Sequence, residues 1–336
     1  MNTVRLPDNL FGIVNAAQIL KDGGVVAIPT ETVYGLAASA YNDTAIANVF
    51  TAKGRPQDNP LIVHISSLEM LSEVAVDIPK TALKLAATFW PGPLTMVLNK
   101  SEKVANSVSR GLSTVAVRMP KNEVALKIIE ESGLPLAAPS ANVSGKPSPT
   151  TANHVLADLD GKINAVVMSG SSEVGVESTV VSLAANPPAL LRPGAVTAEQ
   201  LKEFLPNLVI DSAVLAEPEK GKAVSSPGMK YKHYAPKTEL FLVESSSSDF
   251  VNFVNAKSNA VAICFAEDLN NLKVKSLCYG SETDFNTQAQ KLFALLRQVD
   301  ELGANAVYVH APEKSGVGLA VYNRLIRAAA FKVIKL

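Results

Sequence analysis

Two cations held on a stiff, non-helical stretch are the first chemical feature: Lys53 and Arg55 in Lys53-Gly-Arg-Pro-Gln-Asp-Asn-Pro-Leu61. Such a pair suits a polyphosphate, because Arg makes paired bonds to phosphate oxygens and Lys supplies a point charge. A solvated basic helix end, favoured by the helix dipole, is the plain alternative. Asn59 beside the pair and His64 on the following apolar run favour a ligand. Arg118 closes the apolar run of Gly111-Leu-Ser-Thr-Val-Ala-Val-Arg118. An arginine so placed must snorkel, pair with an acid or meet an anion. Pro29-Thr-Glu-Thr-Val-Tyr-Gly-Leu36 offers hydroxyls and a carboxylate for a small polar ligand, or a strand-to-helix turn with capping Thr. Ser140 and Asn142, in Ala137-Ala-Pro-Ser-Ala-Asn-Val-Ser-Gly-Lys-Pro-Ser-Pro-Thr-Thr151, form a hydroxyl and amide pair. Gly175-Val-Glu-Ser-Thr-Val180 opens a strand with hydroxyls, and Leu191-Arg-Pro-Gly-Ala195 fixes another arginine before a proline.

These clusters need elements to hold them, and each follows an apolar run. Strands are expected at Val25–Ile28, Leu61–Ile65, Leu94–Leu98, Val115–Arg118, Ala165–Met168 and Thr179–Leu183. Helices are expected at Val14–Asp22, Thr44–Ala52, Ile78–Phe89 and Val124–Ser132. In open α/β sheets ligands sit just past strand ends, where these clusters fall. Period is lost between Asp211 and Pro236, which reads as an interdomain segment. Beyond it, Glu239–Val243, Ala260–Cys264 and Ala306–Val309 read as buried strands among helices such as Asn286–Leu302 and Val317–Ala330. That alternation suggests a parallel sheet in a small open α/β domain.

Composition narrows the class. The 336 residues suggest two domains, and 47% hydrophobic content is too high for a disordered chain. Formal charge is zero, and the first 210 residues carry 16 basic and 18 acidic side chains, so any cationic surface is local. Cys264 and Cys278 make neither a disulfide framework nor a zinc site. The start lacks a signal-peptide core and no run reaches membrane-spanning length, so the expected location is cytoplasmic. Phosphate-loop and dinucleotide glycine motifs are missing, as is a metalloprotease helix.

In order along the chain, Pro-Thr-Glu-Thr-Val-Tyr-Gly-Leu, Lys-Gly-Arg-Pro with Asn-Pro-Leu, Pro-Ser-Ala-Asn with Ser-Gly, Gly-Val-Glu-Ser-Thr-Val and Leu-Arg-Pro-Gly resemble the YrdC-like domain family. Ser226-Pro-Gly-Met-Lys-Tyr-Lys-His-Tyr-Ala-Pro236 resembles the linker of its long form, the L-threonylcarbamoyladenylate synthases with an added C-terminal domain. The resemblance covers essentially the whole chain. It implies an α/β fold: a twisted open-sheet YrdC-like domain at residues 1–210, a linker or lid at 211–236 and a small Rossmann-like α/β domain at 237–336. It also implies that L-threonine, bicarbonate and ATP give threonylcarbamoyl-AMP and pyrophosphate. A separate tRNA threonylcarbamoyltransferase complex would then modify the adenosine beside the anticodon.

By that similarity Lys53 and Arg55 are catalytic and hold phosphates and carbonate-derived oxygens. Arg55, Asn59, Thr114, Ser140, Asn142, Ser148, Arg192 and Tyr231 would bind ATP. Thr32, His64, Arg118, Ala138 (through its backbone) and Ser178 would hold threonine, with Arg118 on its carboxylate. Magnesium (Mg2+) on the ATP phosphates is expected, with no protein-held metal. The chemistry gathers negative charge, so fixed cations and donors matter more than a protein nucleophile. Three other readings remain: an RNA-binding module with weak tRNA contact, a carbamoyltransferase handling carbamoyl-adenylate, and a non-catalytic ATP sensor. Acylphosphatase and zinc-finger segments, expected of the carbamoyltransferase, are missing.

Overall fold

The computed structural model describes residues 2–54, 59–216 and 234–336. Arg55 and Tyr231 therefore lie outside the described residues, as does most of the expected lid. Two sheets organise the rest, one of twelve strands between Val4 and Ile210 and one of five between Glu239 and Lys335.

In the first sheet Thr114–Arg118 runs parallel to Ile62–His64 and antiparallel to Leu94–Lys100. Leu94–Lys100 runs parallel to Thr179–Ser182, which pairs antiparallel with Ala189–Arg192. This register matters for the site. His64 sits opposite Arg118, Thr179 opposite Leu94, and Arg192 opposite Val180. Four separated segments thus bring His64, Arg118, Ser178 and Arg192 to the same end of neighbouring strands.

The Pro29–Leu36 cluster does not lead into a helix. Gly35–Ser39 is a strand, antiparallel to Val26–Ile28 and to Leu136–Ala137. Its small apolar residues carry little strand preference of their own, and pairing on both edges decides the outcome. The helix Asp43–Lys53 is locally encoded. Asn42 accepts from the Thr44 and Ala45 N–H groups, and Gly54, at φ 56°, ends the helix left-handed just after Lys53.

All five strands of the second sheet are parallel, in spatial order Lys275–Gly280, Ala260–Phe265, Ala306–His310, Glu239–Glu244 and Val333–Lys335. The two outer strands escaped the sequence pattern because they are only partly buried and lack a continuous apolar run. Helices Phe285–Gln298 and Gly318–Ala328 carry the contacts to the first domain. Val33, Val176 and Tyr234 join the second domain's apolar cluster, so the two units share a core. The segment after Ile210 is also engaged: Asn323 and Arg327 donate to the carbonyls of Val214 and Ala213.

Candidate functional site

A cavity of about 270 Å³ opens at those strand ends, close to the lower end of ordinary ligand-pocket volumes. Thr32, Lys53, Asn59, His64, Arg118, Ala138, Ser140, Asn142, Ser178 and Arg192 line it, together with Glu177 and Tyr234. Ten of the expected site residues therefore converge from six stretches of chain. Ser148 and Thr114 do not line this cavity. Ser148 is buried behind its wall, donating to Glu177 Oε1 at 2.5 Å. Thr114, opposite Asn99, starts the strand that Arg118 ends, about 13 Å away at a strand's rise per residue.

At one side Arg118 is almost fully buried. Its Nη1 donates to Thr32 Oγ1 at 2.8 Å and its Nε to the Gly92 carbonyl at 3.2 Å. Nη2 forms an ion pair with Glu31 Oε2 at 2.6 Å, so three atoms of the guanidinium are held by the protein. His64 Nδ1, on the adjacent strand, has no hydrogen-bond partner. Burial, and then the charge of Arg118, push the His64 pKa down to about 3, so the ring is neutral. Ala138 spends its N–H on the Ile62 carbonyl, which leaves its own carbonyl as the backbone group to offer.

Lys53 turns inward from the helix end. Its ammonium donates to the carbonyls of Ser140 and Asn142, the latter at 2.7 Å, so one expected cluster anchors another. Asn142 Nδ2 donates to the Val143 and Lys146 carbonyls at 2.9 Å, which fixes Oδ1 as a buried acceptor without a partner. Asn59 Oδ1 is a second such acceptor. Across the cavity Arg192 Nε donates to the Ser178 carbonyl and Nη2 to its hydroxyl. Burial, and then the neighbouring Arg324 charge, lower the Arg192 pKa to about 10, which still leaves it cationic at neutral pH.

Glu177 and its partner Arg324 were not anticipated as site residues. Burial opposes the Glu177 charge, but Arg324, then Arg192, and hydrogen bonds from Ser148 and Arg324 outweigh it and lower its pKa. Glu177 stood inside a recognised motif. Arg324 carried no signal, being one basic residue in an amphipathic helix whose partner lies 147 positions away. Among the described residues no group of three His, Cys, Asp or Glu could hold a metal. No described helix is long and apolar enough to cross a membrane.

A family model described as telomere recombination matches residues 18–194, and one described as the C-terminal domain of threonylcarbamoyl-AMP synthase matches 196–330. The threonylcarbamoyl-AMP synthase of Pyrococcus abyssi is 45% identical over 95% of this chain and 94% of its own length. That of Bacillus subtilis is 43% identical over 99% and 97%. A crystal structure of the P. abyssi Sua5 protein complexed with L-threonine matches with a TM-score of 0.90 and 41% identity, covering 100% of both chains.

Proposed function

The chain belongs to the threonylcarbamoyl-AMP synthase family, and we propose that the cavity joins L-threonine, bicarbonate and ATP into threonylcarbamoyl-AMP with release of pyrophosphate. The product serves threonylcarbamoyladenosine formation in tRNA. The observation that carries the reading is the convergence of Arg118 and Arg192 on one cavity that Lys53, His64, Ser140 and Asn142 also line.

Threonine takes the Arg118 side. Arg118 supplies the positive charge for the threonine carboxylate, and His64 Nδ1 is a polar group that the protein leaves without a hydrogen bond. Glu31, Thr32 and the Gly92 carbonyl pin the guanidinium, so little freedom is lost on binding. The threonine amine attacks the bicarbonate carbon, and loss of water leaves a carbamate. A carbamate oxygen then attacks the α-phosphorus of ATP, forming the new P–O bond as pyrophosphate departs.

ATP lies toward Arg192, Ser140 and Asn142, with Arg55 and Tyr231 added by family resemblance. The acceptors Asn59 Oδ1 and Asn142 Oδ1 suit nucleoside amino or hydroxyl groups, and Arg192 suits phosphate oxygens. Lys53 braces the Ser140–Asn142 turn at the cavity. Glu177, which lines the cavity, and Glu31, beside Arg118, are both ion-paired, so magnesium would ride on the phosphates. The acceptor downstream is the tRNA threonylcarbamoyltransferase machinery, and the proposed location is cytoplasmic.

The test is pyrophosphate release with ATP, threonine and bicarbonate, omitting each in turn. Release should require all three. Equal release with glycine for threonine, or in bicarbonate-free buffer, overturns the proposal.

A further inference from the structure

We propose that Arg324, from the second domain, is a positioning residue of this site, clamping the wall that carries Ser178 and Arg192. It rests on the reading that Arg192 meets ATP phosphates. The guanidinium is fully buried, in a helix whose residues from Gly318 to Ala328 are all buried. Its Nε donates to Glu177 Oε2 at 2.8 Å and its Nη2 to the Glu177 carbonyl at 3.1 Å. Its Nη1 donates at 2.8 Å to the Pro193 carbonyl and to Asn323 Oδ1. Glu177 precedes Ser178 and Pro193 follows Arg192, so one side chain grips the neighbours of both residues. Asn323 is anchored in turn by the Val214 carbonyl.

Charge gives the clamp a second task. Glu177 lines the cavity, and after Arg324 its strongest cationic neighbour is Arg192. With Arg324 in place the carboxylate is matched by Arg324 and by the Ser148 hydroxyl. Remove Arg324 and the buried carboxylate turns to Arg192, drawing it from the phosphates and repelling an anionic substrate. Arg192 would then hold an acid where it should hold ATP. This gives the second domain a part in substrate binding.

The test compares wild type, Arg324→Met, Glu177→Gln and the double variant, each checked for folding by thermal melting. ATP affinity is read by calorimetry, alongside KM for ATP and kcat in pyrophosphate release. Arg324→Met should raise the KM for ATP about tenfold or more, the scale of a misdirected charge-assisted contact. The double variant should bind ATP more weakly than Glu177→Gln, because the bonds to the Glu177 and Pro193 carbonyls are lost, yet less weakly than Arg324→Met, because no stranded carboxylate remains. A double variant equal to Glu177→Gln in ATP affinity and KM overturns the proposal, as does Arg324→Met with unchanged KM and affinity. Should Arg324→Met not fold, the comparison of Glu177→Gln with the double variant decides alone. Wild type that released no pyrophosphate would overturn the proposed function instead, and calorimetry would still decide the role of Arg324.

Discussion

Arg192 grips Ser178 at two atoms, its Nε donating to the carbonyl at 3.0 Å and its Nη2 to the hydroxyl at 3.1 Å. The hydroxyl also shares a hydrogen bond with Thr95 at 2.7 Å, so the guanidinium plane is set by a buried residue that is itself held by the strand Leu94–Lys100. One cation is thereby aimed at the cavity without needing a substrate to order it.

Lysine cannot reproduce that fork, since it is a point charge on a flexible stem. Arg192→Lys should keep the charge and lose the aim. A charge-assisted hydrogen bond contributes about 1.5 to 3 kcal/mol, or roughly tenfold to a hundredfold in kcat/KM for ATP. Initial-rate kinetics check this, and a near-normal value would move the phosphate site elsewhere.

Arg118 and Glu31 separate folding from binding. Arg118→Met strands a buried carboxylate, which costs about 3 to 5 kcal/mol by analogy with other broken buried pairs. Adding Glu31→Gln should recover much of the melting temperature but not threonine-dependent turnover. Recovery of both would show that Arg118 serves only the fold.

Stability should fall on mild acidification. The His64 pKa is about 3 folded against 6.5 ordinarily, so between those values the unfolded chain binds more protons. The contribution is complete above pH 6.5 and shrinks as pH falls toward 3. Over the first unit below 6.5 this is about 1 kcal/mol. His154, lowered to about 4, adds in the same sense. Glu177, with a lowered pKa, loses its contribution only below its ordinary 4.5. Melting between pH 6.5 and 5 should therefore show a shallower decline in His64→Gln than in wild type. An identical slope would contradict the burial argument.

Gly175 reports on domain docking. A Cβ there would meet Gln290 Cα at 2.4 Å and the Ala289 carbonyl at 2.5 Å, and its φ is +80°. Gly175→Ala must therefore push backbone from backbone across the domain contact, at a cost above the roughly 1 kcal/mol of a left-handed residue alone. Lower melting temperature and faster proteolysis between the domains are expected. Unchanged behaviour would mean that the contact is not tight in solution.

Local features are legible along the chain. Asn42 and Gly54 bracket the helix that delivers Lys53, and the apolar runs ending at His64 and Arg118 mark strands whatever they pair with. Ordered motifs also disclosed most cavity residues, because chemistry limits which side chains can stand there. Periodicity and caps act within a few residues, so they are legible in one dimension. Tertiary structure decided what depends on distant partners. Gly35–Ser39 became a strand through its two neighbours, and Thr114 ended at the far end of a strand from the cavity. Ser178 joined Arg192, although resemblance had assigned them to different substrates. The Glu177–Arg324 pair was hidden for the same reason. A buried charge finds its partner through packing, and no local pattern records a contact that forms 147 residues away.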